Sequence, residues 1–145
     1  MSNVQQAQIK NNKGELIGEL RGKVVTTTVA EITPSVVRVA NNGVGQFTGK
    51  YTAAQMDTWT VSMNKDGTIQ YETKAIQNTN EGDFVAVTSS GDVKAAGPAT
   101  RGLEGEVVFM TQSKKLAWLN TTKGWIEGTM TNATGEYQAK IYAQK

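Results

Sequence analysis

The sequence predicts an all-β protein, a single antiparallel β-barrel of about eight strands with little helix. Segments rich in β-branched and aromatic residues alternate between apolar and polar positions along much of the chain. Turn signals separate these segments at intervals of about 8–12 residues. Glycines also recur inside the strand-like segments, as expected where strands bend at the corners of a barrel. These are Gly18, Gly22, Gly105, Gly124 and Gly128.

The first part of the chain is predicted to form strands and one helical turn. Residues 4–9 are a short strand candidate, and residues 15–28 are a long β-favouring segment. A short strand over 36–39 precedes Asn41-Asn42-Gly43, which predicts a turn. Residues 52–56 are the one place where the sequence favours a single helical turn.

The central segments show the clearest alternation of apolar and polar residues. A strand is predicted over 57–63, and residues 68–76 return antiparallel to it after a hairpin loop at 64–67. Residues 78–82 predict a second turn, which leads into a strand over 84–88.

The last part of the chain mixes strands with less regular segments. Residues 89–92 predict a turn, and the Ala- and Gly-rich segment 93–102 is predicted to be a loop. A strand over 103–111 and a long strand over 116–130 follow. After a turn at 132–135, an alternating strand ends the chain.

The composition excludes several classes of chemistry. The 145-residue chain has no Cys and no His, which excludes disulfides, thiolate nucleophiles, His-based triads and His- or Cys-ligated metals. We therefore expect no metal and no cofactor. Its 15 Lys and Arg against 13 Asp and Glu give a net charge of +2. No basic face is visible, so we expect no nucleic-acid partner.

Length and hydropathy set the expected organisation. The chain has the size of one domain, which we expect to span residues 1–145. No apolar run reaches the roughly 18–20 residues that span a bilayer, and the first residues show no signal-peptide pattern. We therefore expect a cytoplasmic protein with no membrane partner.

Four residues of the predicted strand over 116–130 are candidates for a cavity wall. Trp118 and Asn120 form one same-parity pair, and Trp125 and Glu127 form another beyond a bend near residue 123. Together they offer aromatic surface for an apolar ligand, with an amide and a carboxylate to orient it. The alternative is two core tryptophans, an asparagine that faces a turn, and a solvated glutamate.

Trp59 and Tyr71 are the other candidate cavity residues. They are predicted to face each other across the hairpin, where such a pair stabilises a sheet by roughly 0.2–1 kcal/mol. Core packing is the favoured interpretation. The alternative is a tyrosine that lines the cavity as an acid or hydrogen-bond donor.

The segment Leu116-Ala117-Trp118-Leu119 is apolar on both parities. A barrel interior covers one face of such a strand, and little helix is available to cover the other. A second copy of the chain is the economical cover, so we expect a homo-oligomer.

Two stretches of the chain resemble a known family. They are residues 66–73 continuing through 80–87, and Leu116-Ala117-Trp118-Leu119-Asn120 followed by Gly128. Together they resemble the domain-of-unknown-function 3237 family of small bacterial proteins. The resemblance implies an allene-oxide-cyclase-like or lipocalin-like eight-stranded barrel with a central cavity, often oligomeric, and no settled reaction. The chain departs from the family pattern at Leu116, where the family has Tyr, and at residues 109–112, which lack the family's Arg and Pro.

Three functions remain open at this point. The first is a barrel that binds an apolar or amphipathic small molecule in its central cavity. The second is a cofactor-free cyclase or isomerase in which Tyr71, Glu127 or Asn120 assists, since orientation alone lowers a barrier by several kcal/mol. The third is a structural or interaction barrel with a filled core. A filled interior excludes the first two, and a pocket of roughly 300 Å³ or more retains them.

Overall fold

Eight antiparallel strands form a closed barrel in the computed structural model, which describes residues 13–145. Each strand pairs with the next along the chain, and β8 pairs back onto β1. The strands are β1 (Lys13–Ile32), β2 (Val36–Gly49), β3 (Thr52–Asn64), β4 (Ile69–Thr79), β5 (Phe84–Gly97), β6 (Thr100–Thr111), β7 (Lys123–Thr131) and β8 (Glu136–Gln144). The predicted all-β barrel is confirmed. The strand predicted at residues 4–9 lies outside the described residues.

Three of the predicted hairpin turns are confirmed. They connect β3 to β4, β4 to β5, and β7 to β8. In these turns Gly67, Gly82 and Gly135 have φ values of 90°, 87° and 72°, in the left-handed region that favours glycine. The turn signals in the sequence therefore have a direct backbone cause at these three places.

Several strands are longer than the local sequence predicts. The helical turn predicted at 52–56 is wrong, because these residues begin β3 and pair with β2 and β4. The turn predicted at 41–43 is wrong as well, since it lies inside β2. Pairing with a strand on each side outweighs the local preference of Asn and Gly for turns.

In residues 89–102, pairing with neighbouring strands again outweighs the local preference for turns and loops. The turn predicted at 89–92 lies inside β5, where Gly91 pairs with Gly105 of β6. The predicted loop over 93–102 is also wrong for most of its length, because β5 continues to Gly97 and β6 begins at Thr100.

The long strand predicted over 116–130 is wrong in its first half. Ala117–Thr121 form a 3₁₀ helix, and strand β7 begins only after it. The Asn120 side chain holds this turn against the end of β6. Its Oδ1 accepts the Thr111 backbone N–H at 2.8 Å, and its Nδ2 donates to the Thr111 carbonyl at 3.0 Å.

The 3₁₀ helix places Leu116 and Leu119 inside the protein, where they are 4% and 0% exposed. They pack in one core with Phe47, Val85 and Phe109, among others. The apolar pattern on both parities therefore reflects one buried turn rather than a strand covered on two faces. A second copy of the chain is therefore not needed to cover this segment, and the homo-oligomer stays a prediction.

The 3₁₀ helix is the one helix among residues 13–145. No helix in this part of the chain has the length and apolar character needed to cross a membrane.

Glycines inside the strands let neighbouring backbones and inward side chains approach closely. A Cβ atom added at Gly105 would stand 2.0 Å from the Ser90 carbonyl oxygen and 2.6 Å from the Tyr71 hydroxyl. By contrast, a Cβ added at Gly102 on the same strand would lie 3.5 Å from its nearest neighbour, which is ordinary contact. The two positions therefore form a matched pair for substitution.

We expect Gly105→Ala to lower the free energy of unfolding by about 1–3 kcal/mol, because backbone must shift to accommodate the new methyl group. Gly102→Ala should change it by less than about 0.5 kcal/mol. Urea unfolding of both variants measures this. Equal stability of the two variants would contradict the close approach at Gly105.

Candidate functional site

The barrel encloses a small cavity between its inward-facing side chains. Much of its lining is apolar and includes Leu20, Val87, Leu103, Val107, Ile126 and Ile141. Its volume is about 60 Å³. A water molecule needs roughly 10–15 Å³ of such space, so the cavity has room for about four to six water-sized groups. The interior is therefore not completely filled, but the cavity does not reach the roughly 300 Å³ expected of a ligand pocket, so it admits a ligand of a few heavy atoms at most.

One carboxylate points into this cavity. Asp57, on β3, is 8% exposed and lines the cavity. Its Oδ2 accepts a hydrogen bond from the Tyr137 hydroxyl at 2.7 Å and another from Gln55 Nε2 at 3.0 Å. Its Oδ1 is buried and has no hydrogen-bond partner within residues 13–145. Buried polar atoms are nearly always paired, so this oxygen is an exception among the described residues.

A chain of hydrogen bonds fixes the orientation of Asp57. The Tyr51 hydroxyl donates to Gln77 Oε1 at 2.5 Å, and Gln77 Nε2 donates to Gln55 Oε1 at 2.8 Å. Gln55 Nε2 then donates to Asp57, so every donor in the chain points towards the carboxylate. The hydrogen-bond partners of Gln77 and Gln55 determine which way round each side-chain amide lies. Oδ2 is consequently held by two donors, and Oδ1 lies close to Gly43, where an added Cβ would stand 2.8 Å from it.

Tyr137 reaches Asp57 because two neighbouring positions have no side chain. Tyr137 on β8 pairs with Gly22 on β1, and Asp57 pairs with Gly43 on β2. A Cβ at Gly22 would lie 2.5 Å from the Tyr137 hydroxyl. A Cβ at Gly43 would lie 2.7 Å from the same atom and 2.8 Å from Asp57 Oδ1. Any larger residue at either position would displace the tyrosine.

The interior tyrosines are held in their neutral form. Burial raises the pKa of Tyr137, and its hydrogen bond to Asp57 and the charge of Asp57 raise it further. Burial is also the main cause that raises the pKa of Tyr71, partly offset by a hydrogen bond with Ser89. Burial alone raises the pKa of Tyr51. All three phenols therefore act as hydrogen-bond donors rather than as bases.

Two of the six residues predicted as cavity lining do line this cavity. Trp59 and Tyr71 both face it, and the Tyr71 hydroxyl lies 2.8 Å from Ser89 Oγ. The prediction that they lie directly opposite each other is wrong, because the hairpin register pairs Trp59 with Thr73 and Tyr71 with Val61.

Trp118 and Asn120 lie outside the barrel wall. Trp118 is on the 3₁₀ helix and is 37% exposed, with Lys50 Nζ 5.5 Å from the centre of its ring. The Asn120 side chain bonds the backbone of Thr111 at the end of β6. The prediction that these two residues continue a cavity wall is wrong, because a turn takes the place of the strand.

Trp125 and Glu127 lie on β7 with the parity opposite to the cavity-lining Ile126. Trp125 is fully buried, and its Nε1 donates to Glu127 Oε1 at 3.2 Å. Glu127 also forms an ion pair with Lys13 at 3.1 Å. Neither residue lines the interior cavity, so the predicted wall of four residues on one strand is wrong. The pair forms a local contact on the outer side of the barrel.

The polar residues of the interior were not predicted from the sequence. Gln55 and Asp57 have the same parity as Trp59 on β3, and Gln77 has the same parity as Tyr71 on β4. The inward direction of these polar residues was therefore readable from the alternation once Trp59 was placed inside. The contact of Asp57 with Tyr137 depends on barrel closure and left no local signal.

The same fold occurs in solved structures of low sequence identity. A conserved protein of unknown function from Rhodopseudomonas palustris matches with a TM-score of 0.77 at 13% identity, over 89% of this chain and 95% of that one. A protein of unknown function from Clostridium acetobutylicum ATCC 824 matches with a TM-score of 0.80 at 12% identity, over 90% and 97%. An enzyme from Penicillium herquei matches with a TM-score of 0.63 at 20% identity, over 90% and 95%.

At these identities the likeness establishes the fold alone. No family model matches the chain, and no curated protein matches it. The resemblance to the domain-of-unknown-function 3237 family therefore stays a prediction.

We expect Tyr137→Phe to destabilise the protein by about 1.5–3 kcal/mol, because it removes a hydrogen bond to a buried carboxylate. Tyr71→Phe is the matched control. Ser89 Oγ donates to the Glu106 carbonyl oxygen at 2.7 Å, so it keeps a partner when the Tyr71 hydroxyl is lost, and the cost should be about 0.5–1.5 kcal/mol. Chemical denaturation of both variants measures the difference. A Tyr137→Phe variant no less stable than Tyr71→Phe would show that the contact with Asp57 contributes little.

The raised tyrosine pKa values predict a loss of stability at high pH. Tyr51 and Tyr71 keep their protons in the folded state, whereas the unfolded chain releases them near pH 10. Stability from these groups is therefore fully present below about pH 10 and is lost as pH rises further, by up to roughly 1.4 kcal/mol per pH unit for each tyrosine. Tyr71→Phe should reduce this slope in denaturation curves between about pH 9.5 and 11.5. Trp118→Phe should not.

Proposed function

We propose that this protein binds a small amphipathic molecule in the interior of its barrel, with Asp57 as the polar anchor. The observation that supports this best is the mainly apolar cavity whose lining includes the Asp57 carboxylate. A ligand with an apolar body and one hydrogen-bond donor satisfies both features. The cavity volume limits such a ligand to a few heavy atoms.

The arrangement of the polar groups supports binding rather than simple packing. The interior hydrogen bonds supply two donors to Asp57 Oδ2 and none to Oδ1 among the described residues. Ligand sites are commonly apolar with a small number of well-placed polar groups. Trp59 and Tyr71 add aromatic surface at the same cavity.

A second candidate is a cofactor-free isomerase or cyclase with Asp57 as the base. Two observations favour it. An enzyme from Penicillium herquei has a similar fold, and Asp57 is the one carboxylate among the described residues that line the cavity. A carboxylate within hydrogen-bond reach of a substrate proton accepts it as a general base. In this mechanism Asp57 takes the assisting role that the sequence suggested for Glu127 or Asn120, neither of which lines the cavity. Tyr71 acts as a hydrogen-bond donor.

Trp59 provides a direct test of binding. We expect a set of amphipathic molecules of up to about six heavy atoms to include some that change the fluorescence and the indole NMR signal of Trp59 in a saturable way. The change should persist in Trp118→Phe and disappear in Trp59→Phe. Dissociation constants should fall in the micromolar to millimolar range for molecules of this size. A full set that leaves the Trp59 signal unchanged would favour the structural barrel instead.

Substitution of Asp57 distinguishes the two candidate functions, ligand binding and catalysis. Asp57→Asn should weaken a purely bound ligand moderately, but it should abolish turnover of a substrate, because an amide cannot take up a proton at this position.

A further inference from the structure

An uninterrupted row of apolar side chains crosses the outer face of the barrel. Its members lie directly opposite one another in the registers of four successive strand pairs, from β2 to β6. They are Val44, Met56, Ile76, Ala86 and Met110. Phe84 on β5 and Val108 on β6 lie two positions from the row with the same parity. These residues together are called the outer apolar patch.

The outer apolar patch faces solvent. Its larger side chains are between 37% and 66% exposed, and they alternate along their strands with core residues such as Val85 and Phe109. In an antiparallel sheet with one face in water, the outward residues are normally polar. The next outward row on β2 to β5 follows this rule and consists of Asn42, Thr58, Lys74 and Thr88. The apolar row is therefore an exception that needs a cover.

Strand tilt keeps the outer apolar patch on one side of the barrel. The strands of a closed barrel are tilted by about 35–45° to its axis. A row that runs perpendicular to the strands therefore climbs along the axis as it crosses from β2 to β6, instead of encircling the barrel. One partner is thus able to contact the whole patch.

The size and composition of the patch match one half of a dimer interface. Its partly exposed side chains present on the order of 500 Å² of apolar surface, and continuous patches of this size mark interaction sites. A standard interface buries about 800 Å² on each partner, a little more than half of it apolar. Interface cores are also enriched in Met and Phe and depleted of charge. The patch has Met56, Met110 and Phe84 and contains no charged residue.

We propose that the outer apolar patch is a homodimer interface, on which the same patch of a second copy of this chain packs. A two-fold contact places a surface against itself, so like charges at its centre would repel, and the uncharged patch avoids this. Different proteins usually recognise each other through complementary charges, which the patch does not offer. Lys23 and Lys74 lie beside the patch, where their long side chains reach water at the rim.

The unmodified protein in solution provides the first test. Light scattering between about 1 and 200 µM should show the mass rise from one 15.6 kDa chain to twice that value and no further, because a two-fold contact closes at two copies. The methyl NMR signals of Met56 and Met110 should shift over the same concentration range. The signal of Met63, which lies on β3 outside the patch, should not shift.

Three lysine variants locate the contact. Met56→Lys and Met110→Lys each place a charge in the interface on both copies, and each should weaken the dimer by at least about tenfold. Val29→Lys makes the same kind of change at an exposed residue of β1 outside the patch and should leave the dimer unchanged. If a variant does not fold, the mass and the methyl signals of the unmodified protein remain a complete test.

Four results would overturn the proposal. A protein that stays monomeric at about 200 µM leaves the patch without a second copy as its cover. A dimer that persists in both Met56→Lys and Met110→Lys is held by another surface, and loss of the dimer in Val29→Lys alone assigns the contact to β1. A mass that grows beyond two copies shows open-ended association in place of a two-fold contact. Each of these results leaves the proposed binding function standing, because the barrel interior takes no part in the contact.

Discussion

The width of the barrel interior constrains every side chain that points into it. Eight strands enclose a space that side chains just fill, so a large inward residue requires small residues beside it. Tyr137 occupies the interior because Gly22 and Gly43 have no side chains, and the Tyr71 hydroxyl lies where a Cβ at Gly105 would be. The glycines that the closed barrel requires are therefore the residues that make room for its interior hydroxyl groups.

Within this limited space, the hydrogen-bond chain from Tyr51 to Asp57 gives the interior a direction. Its donors all point towards one carboxylate, and the amides of Gln77 and Gln55 cannot reverse without placing one acceptor oxygen against another. Asp57 thus keeps a defined orientation among the residues that line the cavity. Preorganised polar groups of this kind are what binding and catalysis both require, since a ligand need not reorder them.

The sequence predicted the barrel well because alternation and turn glycines are local signals. It predicted Trp59 and Tyr71 as candidates because their aromatic character stands out on alternating strands. It misplaced Trp118 because Ala117–Thr121 form a 3₁₀ turn in place of a strand, and it misplaced Trp125 because Ile126 is the residue of β7 that faces the cavity. It missed the pairing of Asp57 with Tyr137 because these residues are 80 positions apart and meet only after β8 closes onto β1.

A barrel with a purely structural role has no use for Asp57 at this place. Replacing buried ionic or polar groups by well-packed apolar residues is often neutral or stabilising, so the carboxylate adds little to folding. Tyr51, Gln77 and Gln55 form the hydrogen-bond chain that ends on it. Asp57 also lines the small cavity that the interior side chains leave unfilled. A filled core would remove this cavity, whereas a small bound molecule would occupy it beside the carboxylate.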